Sequence, residues 1–229
     1  MNYFCNPVNV NYRYQFNDDQ RNKGIKVARE AADPSMIWFK GKYYIFASMT
    51  LGVWVSEDLA VWKNHRLPES LPLYDYAPDV RVMGDYVYFC ASKRGENCSF
   101  YRTKDILEGP YEEIPGTFDF WDPNLFLDED GRLYFYWGCS NMTPVWGVEL
   151  DPETMHPLGE RIALIEGDAS TKGYERAGED HTLVPRSEEE IEACYQGFLK
   201  AQNMTEADFP DEYKPLVKGM FSRKPYIEG

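Results

Sequence analysis

Acidic residues set beside prolines are the feature of this sequence that could do chemistry. Asp33 precedes Pro34, Asp79 follows Pro78, Asp122 precedes Pro123, and Glu228 stands next to the last residue. Carboxylates perform general acid–base work when their surroundings push their pKa values apart, so that one keeps a proton while another is ready to take one. Two acids adjacent on one strand cannot cooperate in this way, because successive side chains face opposite sides. Acids drawn from separate elements can. Taken singly, Asp-Pro is also a common turn device, and that reading stands beside the catalytic one at Asp33 and Asp122.

The elements that would position these acids show as an internal repeat. Three segments align: DPSMIWFKGKYYIFAS from Asp33, APDVRVMGDYVYFCAS from Ala77 and DPNLFLDEDGRLYFYWG from Asp122. Each has a proline beside an acid, a short apolar strand, a turn at Gly or Asp-Gly, and a Tyr-rich strand. Asp33, Asp79 and Asp122 recur at intervals of 46 and 43 residues, with Asp79 taken as the equivalent acid of the second unit. Each unit continues through a third strand, an Asp-containing turn and a fourth short strand. Hairpin signals stand at Lys40-Gly41-Lys42 and at Glu129-Asp130-Gly131. Four antiparallel strands every 40 to 50 residues predict blades of a β-propeller, since one small sheet cannot bury both faces alone. The expected fold class is all-β, with a propeller favoured over a sandwich.

Between Leu164 and Phe221 the repeat lapses. Residues 187–204 read as a helical insertion, with Ser187 as N-cap, Glu190 in the capping-box position and apolar residues at helical spacing after it. The acidic first turn suits the helix dipole, so those glutamates read as solvated structural charges. The whole of 1–229 is taken as a single, incomplete propeller domain of about three blades plus the start of a fourth. An open arc would expose strand edges and one apolar blade face, so either a truncated chain, an oligomer or a completing partner chain covering that edge is expected.

The chain carries a formal net charge of -14, 43% hydrophobic residues and 16% aromatic residues. Such a charge repels nucleic-acid phosphates and anionic lipid surfaces, which leaves a neutral or cationic ligand. The aromatic content fits strand packing or platforms that stack on sugar rings. Five cysteines without CxxC spacing argue against a disulfide framework or a zinc site and read as ordinary thiols. No stretch has the roughly 20 apolar residues of a membrane span, and the first residues do not form a secretory leader, so a cytoplasmic setting is expected.

At Ala32-Asp33-Pro34-Ser35, Trp121-Asp122-Pro123-Asn124 and Ile227-Glu228-Gly229 the sequence resembles glycoside hydrolase family 43, whose five-bladed propellers act on xylan- and arabinan-derived glycosides. The resemblance implies that Asp33 is the general base that activates water. It implies that Asp122 orients the acid and adjusts its pKa, and that Glu228 is the general acid. Glycosidic cleavage needs one protonated carboxyl at the leaving oxygen and one carboxylate to deprotonate water, about 6.5–9.5 Å apart for inversion. A third carboxylate near the acid helps to keep it protonated by like-charge repulsion.

Other residues carry weaker expectations. Asp79 either hydrogen-bonds sugar hydroxyls or caps its blade. Trp54, Trp121 and Trp137 are candidates for a stacking wall or for interblade core. Ser140 and Asn141 could offer hydroxyl and amide groups to a ligand, and Arg176 could belong to the pocket. No cofactor is required, although the resemblance suggests a structural calcium in the axial channel, with His181 as local candidate or as an ordinary loop histidine. The leading function is an inverting glycosidase of α-L-arabinofuranosidase or β-xylosidase type acting on oligosaccharides, without nucleic-acid or membrane partners. The alternative is a truncated, inactive propeller that binds carbohydrate or protein.

Overall fold

The computed structural model describes residues 10, 15–19, 24–28, 31–48, 50, 52–68, 71, 77–92, 97–115, 118–167, 184–224 and 227–228. For 15–19, 24–28 and Glu228 it gives the backbone course. Arg176, His181 and Cys5 lie outside the described residues. Contacts divide the chain into two compact units, one of Met1–Tyr136 with Val148–Glu160, the other of Trp137–Gly147 with Arg161–Gly229.

In the first unit, β1 (Gln15–Asp19) pairs antiparallel with β2 (Gly24–Ala28). The first blade then runs in sequence order through β3 (Ser35–Phe39), β4 (Lys42–Phe46), β5 (Gly52–Ser56) and β6 (Lys63–Arg66). The second repeats it with β7 (Asp79–Met83), β8 (Tyr86–Cys90), β9 (Phe100–Thr103) and β10 (Glu112–Ile114). The third sheet, whose strands are drawn from both units, has β11 (Asn124–Leu127) and β12 (Leu133–Trp137), then, after the short β13 (Cys139–Ser140), β14 (Val145–Leu150) and β15 (Ile162–Ile165), in the order β11, β12, β14, β15.

Local sequence explains the turns. Lys40 and Gly41 have φ of 46° and 82°, the two left-handed residues that a type I′ hairpin between β3 and β4 demands. At the turn between β7 and β8, of its two residues Gly84 alone is left-handed, at 58°, which suits a turn of the II′ kind before Asp85. The strand β12 alternates as a half-buried sheet should: Leu133, Phe135 and Trp137 are buried while Tyr134 and Tyr136 are half-buried.

The core lies between blades. Phe39, Phe46 and Val53 of the first blade pack with Val80, Val87 and Phe89 of the second. Phe100, Phe118, Phe120 and Phe135 form an aromatic cluster joining the second blade to the third. Sulfur plays no bridging part at Cys90, Cys98, Cys139 or Cys194, which are free of disulfides.

In the second unit, α1 (Glu188–Ala201) begins with the capping box read from the sequence, Ser187 Oγ accepting from Glu190 N–H and Glu190 Oε2 from Ser187 N–H. Its buried side chains, Ile191, Tyr195 and Leu199, recur every four residues and form one stripe. The backbone bond from Ser187 holds the Glu190 carboxyl below its ordinary range, so this glutamate is a structural charge. A second helix, α2 (Lys214–Ser222), was not expected. It lacks a side-chain N-cap, and Pro215 at its second position, a residue that suits a first helical turn, is the one start signal it offers. The final strand, β16 (Ile227–Glu228), pairs antiparallel with β13, setting Glu228 opposite Cys139. No helix among the described residues is long and apolar enough to cross a membrane.

Candidate functional site

The three innermost strands β3, β7 and β11 are entered through the same corner. Asp33, Ala77 and Asp122 have φ of 50°, 50° and 48°, and each is followed by a proline. A residue before proline is disfavoured in the right-handed helical region, and a left-handed non-glycine residue is uncommon. Three at matching places are a device of the blade. The strand registers confirm the match, since Ser35 opposes Phe46 and Asp79 opposes Cys90, the last residues of β4 and β8.

This register corrects the alignment of acids. Asp79 is the counterpart of Ser35 and Asn124, the first residues of their strands, and the residue equivalent to Asp33 and Asp122 is Ala77. Following the acid rather than the proline displaced the second unit by two positions. The consequence bears on chemistry: alanine makes the corner in the second blade, so the corner itself does not need a carboxylate.

Asp33 is exposed, and its Oδ2 accepts a hydrogen bond of 3.0 Å from Ser48 Oγ. The same Ser48 oxygen accepts from Ala77 N–H at 2.8 Å. One blade on, Ser92 Oγ accepts from Asp122 N–H at 3.1 Å. Ser48 and Ser92 are each 0% exposed. These hydroxyls were missed in the sequence, although the Ala-Ser pair that closes both Tyr-rich strands was a visible signal. Asp122 is half-buried.

Asp79 serves the frame. Its Oδ1 accepts from Ser35 Oγ at 3.0 Å and its Oδ2 from Leu125 N–H at 2.6 Å, so one carboxylate ties β7 to β3 and to β11. It is 7% exposed, and burial pushes its pKa up against the opposing pull of the Leu125 and Ser35 hydrogen bonds and of Arg81. Of the two roles expected for it, this geometry is that of a structural tie. With a raised folded pKa, the unfolded chain releases this proton first as the pH climbs, so the contribution of Asp79 to stability falls across the window from the ordinary carboxylate range up to the folded value, then levels. Asp79→Asn should flatten that segment of a stability profile measured by urea unfolding at stepped pH. An unchanged slope would count against Asp79 as its source.

Two of the other expected ligand contacts, Trp54 and Trp137, are corrected. Trp54 is 2% exposed and packs with Ala47 and Trp62, and Trp137 is 6% exposed, so neither offers a ring face to a sugar. Packing claims both rings: Trp54 lies in a run of three buried residues of β5, and Trp137 ends the alternating β12 on its buried face. Trp121 is half-buried beside the Asp122 corner. Ser140 Oγ accepts from Met142 N–H at 2.9 Å, making a local turn, and Asn141 Nδ2 donates to the Gly219 carbonyl at 2.8 Å, holding α2. Both border a cavity of about 330 Å³ within the second unit, together with Glu166 and Lys224. The roomier cavity, about 440 Å³, lies on the outer strands of the first blade around Lys42, Asp58 and His65. Neither takes in Asp33, Asp79 or Asp122.

Among the described residues no group of three or more His, Cys, Asp or Glu is placed to hold a metal ion. His181, the local candidate for the calcium suggested by the resemblance, lies outside the described residues.

Comparison with known proteins bears on this arrangement. The family described as glycosyl hydrolases family 43 matches residues 27–179, more than half of the chain. A search of curated proteins returned no match. Among solved structures the chain is similar to an exo-1,5-alpha-L-arabinanase from a bovine ruminal metagenomic library, at 25% identity over 59% of this chain and 55% of that one, with a TM-score of 0.47. It is similar to the native arabinanase of Bacillus subtilis, at 21% identity over 59% and 56%, with a TM-score of 0.50. It is similar to a bifunctional GH43-CE protein of Bacteroides eggerthii, at 22% identity over 64% and 22%, with a TM-score of 0.51. The chain spans little more than half the length of the first two. The fold is all-β, of the five-bladed propeller type, with three four-stranded blades among the described residues.

Proposed function

This chain belongs to glycosyl hydrolases family 43, and from that premise we propose that it hydrolyses glycosidic bonds of arabinosyl or xylosyl oligosaccharides with inversion at the anomeric carbon. The observation that carries the reading is the left-handed corner occupied by aspartate in the first and third blades and by alanine in the second. A corner that alanine can also make does not require the carboxylates at Asp33 and Asp122, which favours a chemical use for them beside their tolerance of the left-handed turn.

In this reading a water attacks the anomeric carbon as Asp33 takes its proton, and the bond to the leaving oxygen breaks as Glu228 supplies a proton there. Asp122 serves the ionisation of the donor. Each turnover leaves Asp33 protonated and Glu228 ionised, and exchange with solvent restores both. Ser48 holds one oxygen of Asp33, which leaves the other for the water.

The test is turnover of an aryl α-L-arabinofuranoside and an aryl β-D-xyloside by the 229-residue chain, with the first-formed anomer read by proton NMR. Release of the inverted sugar is expected. Retention of configuration, or inertness toward both glycosides and toward arabino- and xylo-oligosaccharides, would refute it. One observation favours the binding-module reading: every residue of β15 is exposed, with Ile162 at 61% and Ile165 at 57%. Saturable oligosaccharide or protein binding without any turnover would be its signature.

A further inference from the structure

We propose that Ser48 is a positioning residue for the water-activating carboxylate, a role that rests on the assignment of Asp33 as general base. Three observations lead there. Ser48 is 0% exposed, so its hydroxyl is cut off from solvent and must find its partners inside the protein. It has two that do different work: it donates to Asp33 Oδ2 at 3.0 Å and accepts from Ala77 N–H at 2.8 Å. Because the Ala77 N–H already occupies a lone pair of the oxygen, the single hydroxyl proton is directed at the carboxylate.

The carboxylate would otherwise be loosely held. Asp33 is exposed and sits at a left-handed corner, so little packing surrounds its side chain. The bond from Ser48 fixes Oδ2 and so aims Oδ1, which is what a base acting on one particular water requires. Ala77 N–H in turn anchors the hydroxyl to the corner of the next blade. The position of Asp33 is therefore set by two blades at once.

Ser92 supplies an internal contrast. It closes β8 as Ser48 closes β4, is equally buried, and accepts from the backbone N–H of the next corner at Asp122. The residue at the head of its own blade is Ala77, which has no carboxylate to receive a hydroxyl proton. Both serines thus tie one corner to the next, and Ser48 also grips an acid.

The experiment uses the 229-residue chain with its aspartates labelled by carbon-13 at the side-chain carboxyl. The Asp33 resonance is assigned by its loss in Asp33→Asn. In Ser48→Ala this resonance should move at fixed pH, while in Ser92→Ala it should stay in place. With an aryl glycoside as substrate, Ser48→Ala should lower kcat by about ten- to a hundredfold, the worth of one hydrogen bond to a charged group, with KM changed by less than about threefold. Should Ser48→Ala fail to fold, Ser48→Cys keeps the side-chain length with a far weaker donor and should show the same two effects. An unmoved Asp33 resonance in a folded Ser48 variant overturns the proposal, as does a kcat within twofold of the parent chain. If the parent chain turns over no glycoside, the proposed function fails and the resonance alone decides whether Ser48 holds Asp33.

Discussion

Asp33→Asn is expected to lower kcat on an aryl α-L-arabinofuranoside by about a hundred- to ten-thousandfold, the usual contribution of a general base, while the urea midpoint of the chain stays where it was. Asparagine is the informative substitution. It tolerates the left-handed corner at φ of 50° as well as aspartate does, and it can still accept from Ser48 through its amide oxygen. What it lacks is basicity. Asp33 is exposed, so no buried donor is orphaned by the exchange and the folded state loses little. A variant that keeps full activity would remove Asp33 from the chemistry. One that loses activity together with stability would return Asp33 to the role of a turn residue, the plain reading of any single Asp-Pro pair.

The blades were legible because their signals are local and repeat: alternation in the Tyr-rich strands, glycine at the hairpins and a proline at each corner all follow from backbone geometry. The helix α1 was legible for the same reason, since Ser187 and Glu190 satisfy orphan N–H groups by spacing alone. Asp33 and Asp122 could be picked out by their place in the repeat. Asp79 misled because it is an acid near a proline, whereas its position relative to the corner shows only once strands are paired. Trp54 and Trp137 misled because a tryptophan's value to a core or to a ligand depends on which sheet face it occupies and what stands opposite. Ser48 was hidden because a hydroxyl acquires meaning from partners 15 and 29 residues away. The uncapped α2 was not read from the sequence, since tertiary surroundings decide whether such a segment forms at all.

Phe135→Ala is expected to destabilise the first unit by about 3–5 kcal/mol, the range for removing a large buried aromatic side chain. Phe135 is 0% exposed in β12, with ring centroids 4.8 Å from Phe120, 5.3 Å from Phe100 and 5.9 Å from Phe118. Edge-to-face contacts of this kind add to the burial of each ring, and the partners come from the second blade and from the segment that leads into the Asp122 corner. The cavity left by alanine would therefore lie between blades, two residues upstream of that corner on the Phe120 side. By contrast the ion pair of Arg102 with Glu112, at 2.8 Å between solvent-facing side chains, should contribute less than about 1 kcal/mol when broken by Arg102→Ala. Urea unfolding of both variants, followed by tyrosine and tryptophan fluorescence, compares the two directly. If Phe135→Ala costs less than about 1 kcal/mol, no more than the surface ion pair, interblade aromatic packing is not what holds the third blade to the second.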